Sequence, residues 1–175
     1  DSRAVTELAL EHFRERGLSN LAYCGALGFR WAVERGRFFR EQVQAQGLTL
    51  HEFDLAERSP EAELKQLARW LRRLPKPVGV LACYDIRGQQ VLEACYSARV
   101  RVPDEVAVLG VHNDALLCEL CDPPLSSVIP DASRAGAMAA ALLDSMMAGK
   151  SVPTETRLIA PLGVATRQST DLVAV

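Results

Sequence analysis

The stretch VGVLACYDIRGQQVLEACYSA, residues 78–98, decides the fold. Val78 to Cys83 is an unbroken apolar run, the pattern of a strand buried on both faces. From Asp85 to Ala98 the period changes to that of a helix, with Val91, Leu92 and Cys95 facing inward. Between the two lie Tyr84, Asp85 and Arg87, polar groups where an apolar strand hands over to a helix. A buried strand followed directly by a helix is half of a parallel crossover unit.

The same unit recurs on both sides. Toward the C-terminus, Pro103 precedes a second apolar strand, Val106 to Val111, which ends in His112, Asn113 and Asp114. An irregular loop and a short helix follow, about Ala115 to Leu120, then a strand from Leu125 to Ile129. Asp131 caps a long helix to about Ala148, striped by Ala135, Met138, Leu142 and Met146 and stopped by Gly149. Thr156 to Thr166 reads as two strands broken near Pro161. Toward the N-terminus, a helix from Ser2 to Arg16 repeats Val5, Leu8, Ala9, His12 and Phe13 at helical spacing. Leu21 to Cys24 is a short strand, Gly25 to Gly28 a loop, Trp31 to Gln46 a helix, and Leu48 to Leu55 an alternating strand. Ser59 and Pro60 open a helix as N-cap and first helical residue. Its buried stripe is Leu64, Leu67, Leu71 and Leu74, and Pro75 and Pro77 end it.

Strands separated by helices of this length predict an α/β fold: an open parallel sheet, right-handed crossovers and helices on both faces. Ligands of such sheets bind outside the carboxyl ends of the strands. Three strands end there in polar groups: Leu21–Cys24 leads to Arg30, Trp31, Glu34 and Arg35; Val78–Cys83 to Tyr84, Asp85 and Arg87; Val106–Val111 to His112, Asn113 and Asp114. That set suits a polyol or sugar. Carboxylate and amide oxygens accept hydroxyl protons, a guanidinium donates a fork to neighbouring oxygens, and the rings of Trp31 and Tyr84 cover an apolar sugar face. Each residue also has a bland reading: Asp85 as a helix cap, Arg35 as a surface ion-pair partner, Asn113 and Asp114 as turn residues.

Composition narrows the classes. With 175 residues the chain is long enough for one domain with a sizeable core. A net charge of -2 gives no basic surface for nucleic acid. The richest basic stretch, Arg69 to Lys76, reads as the solvated side and end of a helix. No run of about 18 apolar residues predicts a membrane span. Nor does the chain open on a charged-then-apolar signal segment. The five cysteines, an odd number, suit free thiols in a reducing cytoplasm. Cys118 and Cys121 form a lone C-x-x-C without two further ligands at matching spacing, which leaves packing, redox and metal readings open. No hydrolase elbow, zinc-protease or P-loop motif is present. His12 falls on the apolar side of its helix, a structural position, and His51 in an exposed strand or loop. Two rivals to a non-enzymatic sensor are a transport-type binding protein and an α/β enzyme using Asp85 and His112 as acid and base.

The segments ERGLSNLAYCG (15–25), RWAVERGRFF (30–39), VPDEVAVLGVHND (102–114), PPLSSVIPD (123–131) and RQSTD (167–171) occur in order. Together they resemble the effector domain of the lactose and galactose repressor family, whose fold is shared with periplasmic sugar-binding proteins. LLCELCDPPLSSV (116–128) and RQSTD are most similar to the xylose-responsive subgroup, which joins this domain to an arabinose-regulator-type DNA-binding domain at its C-terminus. The resemblance implies a cytoplasmic, homodimeric regulator that senses a small sugar, a pentose such as xylose, uses no cofactor or metal, and reaches DNA only through other domains. It implies that residues 1–175 are mostly the C-terminal lobe of the sensing region, incomplete at both ends, with about 125–148 returning toward a preceding lobe. It places Arg35 at the sugar-gripping arginine, Asp85 in the polar pair after the central strand, and Arg87 in an Asp-x-Arg of the subgroup. Asn113 follows in the same rim, and Asp131 is a polar contact or a helix cap. His112 departs from the family, which has Asp at that point of Gly-x-Asp. A neutral imidazole accepts one hydrogen bond and donates one, where a carboxylate accepts two.

Overall fold

The computed structural model describes residues 1–26, 28–54, 59–151 and 153–172. Its elements, in chain order, are α1 Ser2–Glu15, β1 Asn20–Cys24, α2 Arg30–Ala45, β2 Leu50–Phe53, α3 Pro60–Arg73, β3 Val78–Ala82, α4 Asp85–Ala98, β4 Val106–Val111, α5 Ala115–Leu120, β5 Ser126–Ile129, α6 Ala132–Met147 and β6 Gly163–Ala165. A single 3-10 turn, Gln168–Thr170, follows. The strands form one sheet in the order β2-β1-β3-β4-β5-β6, parallel except for β6, which runs against β5. The α/β architecture with helices on both faces is the one expected, with an antiparallel edge strand added.

Alternation along each strand divides the core in two. Leu21, Tyr23, Leu81 and Leu109 point to the face covered by α1 and α2, with Phe13, Phe39 and Val43. Ala22, Val80, Val106 and Val108 point to the face covered by α3 and α4, with Leu67, Leu71, Val91 and Leu92. β3 and β4 are buried along their whole length, which is why both read as unbroken apolar runs. Gly79 is required by contact: a Cβ there would lie 2.7 Å from the Phe13 ring. Ser59 caps α3 by accepting from the Ala62 N–H, with Pro60 at the first helical position, as its sequence implies. Arg69, Arg72 and Arg73 are solvated. Among the described residues no helix is long and apolar enough to cross a membrane.

Two strand expectations are corrected. Of the two strands expected between Thr156 and Thr166, only Gly163–Ala165 forms. The β5 ladder ends at the Ile129–Gly163 pair, and beyond it the partner chain turns off into α6. Residues 156–160 therefore have no adjoining strand among the described residues; the Ile159 carbonyl instead accepts from the N-terminal amine of Asp1 (3.1 Å). The helix α6 forms as expected; its apolar residues Leu142, Leu143, Met146 and Met147 are 39–80% exposed. The strand expected over 48–55 spans Leu50–Phe53, and residue 55 lies outside the described residues.

The C-terminal RQSTD segment is held to the sheet by a buried polar chain. Ser169 Oγ donates to the Val108 carbonyl (2.6 Å) and accepts from the Ser126 N–H (2.8 Å). Thr170 Oγ1 donates to Ser126 Oγ (2.7 Å), so it accepts from His12 Nε2 at 2.8 Å. Burial, with the Arg16 charge alongside, lowers the His12 pKa to about 4. His12 is thus a core histidine held neutral. The unfolded chain takes up this proton near the ordinary value of 6.5, before the native state does. Stability contributed above that pH is lost as pH falls from about 6.5 to about 4, on the order of 3 kcal/mol in all. We expect His12→Gln to be less stable than the parent at pH 7.5, with a smaller loss between pH 7 and 5 in urea melts. Equal losses in the two proteins would remove His12 from the acid response.

Candidate functional site

The carboxyl edge of β3 and β4 carries a cluster of rings. Trp31 lies in the first turn of α2, Tyr84 just before α4, and His112 just after β4. Their ring centroids are 5.6 Å (Trp31–Tyr84), 6.1 Å (Trp31–His112) and 6.5 Å (Tyr84–His112) apart. Phe29, half exposed, extends the cluster at 5.5 Å from Trp31. One helical turn after Trp31, Arg35 occupies the same side of α2. Its guanidinium carbon sits 5.4 Å from the Trp31 centroid, and Nη1 donates to the Cys83 carbonyl at the end of β3. Arg35 is only 7% exposed, its Nε has no partner among the described residues, and the Asp85 carboxylate acts on its charge through space.

Asp85 joins three strand ends. Its Oδ1 accepts from Ser127 Oγ (2.6 Å) on β5, and its Oδ2 accepts from the Asp114 N–H (2.8 Å) after β4. Ser127 Oγ in turn accepts from the Asn113 N–H at 2.9 Å. Burial raises the Asp85 pKa, and the hydroxyl of Ser127, the Asp114 N–H and the His112 ring oppose the rise. The turn bears backbone strain: φ is +113° at His112 and +53° at Asn113. Asn tolerates the left-handed region, whereas His at +113° lies outside it. One edge of His112 is open to solvent. Partial burial of its ring, then the Arg35 charge, lower its pKa against the pull of Asp85. The imidazole is therefore neutral at pH 7, one donor and one acceptor. The side-chain Oδ1 of Asn113 is buried without a partner.

Of the residues singled out in the sequence, Trp31, Arg35, Tyr84, Asp85, His112 and Asn113 meet on this edge. Arg87 does not join them. It turns to the α3 side, where Nη1 donates to Glu63 Oε1 (2.5 Å) and Gln90 Oε1 (2.6 Å). Asp131, at the end of β5, accepts from the Arg134 N–H (2.9 Å) and so caps α6. The C-x-x-C pair is buried with both thiols free. Burial pushes the Cys118 pKa up to about 12 and raises that of Cys121, opposite to an activated redox thiol. A groove of about 300 Å³ between α3 and α4 lies on the outer helical face. Its lining includes Leu64, Leu67 and the Glu63 carboxylate already bonded to Arg87.

Sequence reasoning passed over Ser127. Its signal was a pair of serines, Ser126 and Ser127, inside a strand otherwise apolar. Both are fully buried. Polar groups in such places need partners, and these two have them.

A parallel sheet with polar groups and rings gathered at its carboxyl edge is the arrangement of ligand-binding α/β proteins. The periplasmic binding protein-like domain matches residues 10–170, so the chain belongs to that family. It is 32% identical over 98% of its length to the xylose operon regulatory protein of Escherichia coli K12. With the xylose operon regulatory protein of Haemophilus influenzae it is 33% identical over 98% of its length. It covers 45% and 46% of those proteins, so the chain spans about half the length of the curated relatives it matches. Among solved structures, a xylose-binding transcription activator superposes with a TM-score of 0.92 at 31% identity, covering all of this chain and 48% of that one. A regulator of the lactose repressor family from Arthrobacter sp. FB24, in complex with lactose, superposes at 0.81 and 26% identity, over 98% of this chain and 65% of that one. These relatives are transcription regulators, not enzymes.

Ser127→Ala removes one of the two donors to a buried carboxylate and the acceptor of the Asn113 N–H. We expect a loss of about 1–3 kcal/mol in denaturant melts. Ser145→Ala, on the exposed side of α6, should change stability by less than about 0.5 kcal/mol. Equal effects would show that the Asp85–Ser127 bond contributes nothing special.

Proposed function

We propose that this chain is the effector-binding part of a bacterial transcription regulator that senses a sugar, a pentose such as xylose being the expected size. The observation that carries the reading is the rim itself: Trp31, Tyr84 and His112 within 5.6–6.5 Å of one another, with Arg35 beneath Trp31. Aromatic faces beside a fixed fork of donors fit the alternating apolar and hydroxyl surfaces of a sugar ring. Asp85, with both oxygens engaged by protein donors, acts as a positioning residue for the His112–Asp114 turn. Arg87 serves the α3–α4 contact through Glu63. Asp131 acts as the cap of α6.

In this reading residues 1–175 form one wall of the site, mostly the C-terminal lobe of a two-lobed sensor. The uncovered apolar side of α6 supports a return of about 125–148 toward a second lobe outside these residues. Sugar between the lobes favours one closed geometry through its better contacts there. That shift repositions DNA-binding domains carried elsewhere in the protein. The regulator works in the cytoplasm as a homodimer, matching paired DNA half-sites.

Calorimetry on the protein with whatever residues flank these 175, titrated with pentoses and hexoses, tests the proposal. A saturable isotherm is expected for a pentose, weakened about tenfold in Trp31→Ala by loss of the stacking face. Absence of heat with every sugar, together with operator binding indifferent to all of them, would sink the reading.

A further inference from the structure

We propose that the C-terminal ends of α3 and α4 form a docking surface for the phosphate backbone of duplex DNA, made by Arg69, Arg72, Arg73 and Arg99. The choice of DNA rests on the reading of the chain as part of a transcription regulator. The surface lies at the amino ends of β3 and β4, on the opposite edge of the sheet from the ring cluster.

A net charge of -2 speaks against nucleic acid for the chain as a whole, but folding does not spread charge evenly. Arg69, Arg72 and Arg73 stand at i, i+3 and i+4, so they share one side of the last turns of α3, opposite the buried Leu67 and Leu71. The fourth cation comes from α4. Arg72 Nε donates to the Ala98 carbonyl (3.1 Å), which brings its guanidinium beside Arg99, the next residue. Arg69, Arg72 and Ser97 line one groove of about 350 Å³ between the two helices. All four arginines are exposed. None of them makes an ion pair among the described residues. The cations of α1 and α2 differ: Arg3, Arg37 and Arg40 each hold a carboxylate. At the border of the patch, Lys65 is paired with Glu61, Lys76 donates to the Leu71 carbonyl, and Arg101 lies against Asp104 and Glu105.

Two features of this patch are costly without a partner. Like charges three and four residues apart on a helix repel. The negative end of the helix dipole offsets this for Arg72 and Arg73 in the last turn, but not for Arg69 a turn earlier. Arg99 ends α4 at φ +56°, the left-handed region where glycine is the usual residue. Glycine would end the helix without that strain, so the arginine is there for its side chain. The four cations follow the side of a helix rather than close around a cavity, so a line of charges fits them better than one small anion. Duplex DNA is such a line, with one negative charge per about 1.7 Å of axis. Arg69 and Arg73 are one helical turn, about 5.4 Å, apart along α3, within side-chain reach of neighbouring phosphates. Such contacts carry no sequence information; they add affinity and fix the orientation of the protein on the duplex.

The test is fluorescence anisotropy of the protein with its flanking residues on a mixed-sequence DNA duplex and on a single-stranded RNA of equal length, from about 50 to 200 mM salt. The triple variant Arg69→Gln, Arg73→Gln, Arg99→Gln should lose on the order of tenfold in duplex affinity at the lower salt, with a salt slope shallower by about 2–3. Arg99→Gly relieves the left-handed backbone, should fold at least as well as the parent, and should flatten the slope by about 1. Arg37→Gln, on α2, should leave the slope unchanged. A slope unchanged in the triple variant overturns the inference and leaves the sugar-sensing reading intact; Arg99→Gly decides if the triple variant does not fold. Arginine-dependent binding of the RNA in place of the duplex also overturns it. Absence of any duplex binding, together with silence toward every sugar in calorimetry, overturns both.

Discussion

The carboxylate of Asp85 is the point on which the carboxyl edge depends. It starts α4, yet its two hydrogen bonds run to β5 through Ser127 and to the turn after β4 through Asp114. Three strands that approach independently are thereby fixed at one level. A partly desolvated carboxylate is tolerated because each oxygen has a donor; removal of either leaves a charge or a polar group without compensation. Gly110 belongs to the same arrangement, since a Cβ on it would collide with Oδ1 of Asp85. The glycine before Val111 and His112 is therefore dictated by a side chain at the start of α4.

Most of the architecture was legible because burial on both faces leaves an unmistakable pattern. β3 and β4 lie in the middle of the sheet, and nothing but apolar residues survives there. The edges were less legible. Gly163–Ala165 pairs only because β5 offers it a strand, and 156–160 has no such neighbouring strand among the described residues. Pairing is a property of the neighbour, so no local pattern reveals it. The same holds for α6. Its stripe of Ala135, Met138, Leu142 and Met146 correctly announced a helix with one apolar side, but a stripe says nothing about whether anything covers it.

The site shows a similar division. Strand ends in a parallel sheet share one edge, so the grouping of Trp31, Arg35, Tyr84, Asp85, His112 and Asn113 followed from topology alone. What each group does on that edge did not. Asp85 and Arg87 are two residues apart in the first turn of α4 and point to different neighbours, one toward β5 and one toward α3. A shared motif can thus hold a rim residue and a helix-packing residue side by side. Ser127 was hidden for the opposite reason: it is small, buried and inside a strand, and only its role as donor to Asp85 and acceptor from Asn113 gives it importance.

The turn at residues 112–114 connects the fold to the chemistry. Three successive backbone N–H groups are committed to fixed acceptors: His112 to the Val128 carbonyl, Asn113 to Ser127 Oγ and Asp114 to Asp85 Oδ2. These bonds offset the strain of two non-glycine residues at positive φ, of order 1–3 kcal/mol each. They also leave no free N–H there to form a backbone nest for a ligand. In the proposed reading, recognition at this end of the sheet comes from side chains, and the turn aims the His112 ring at Trp31 and Tyr84. A rim fixed in this way loses little further freedom when it binds, so its contacts act on affinity with less offset from ordering. In that reading selectivity resides in few side chains, those of the ring cluster and the Arg35 guanidinium beside it.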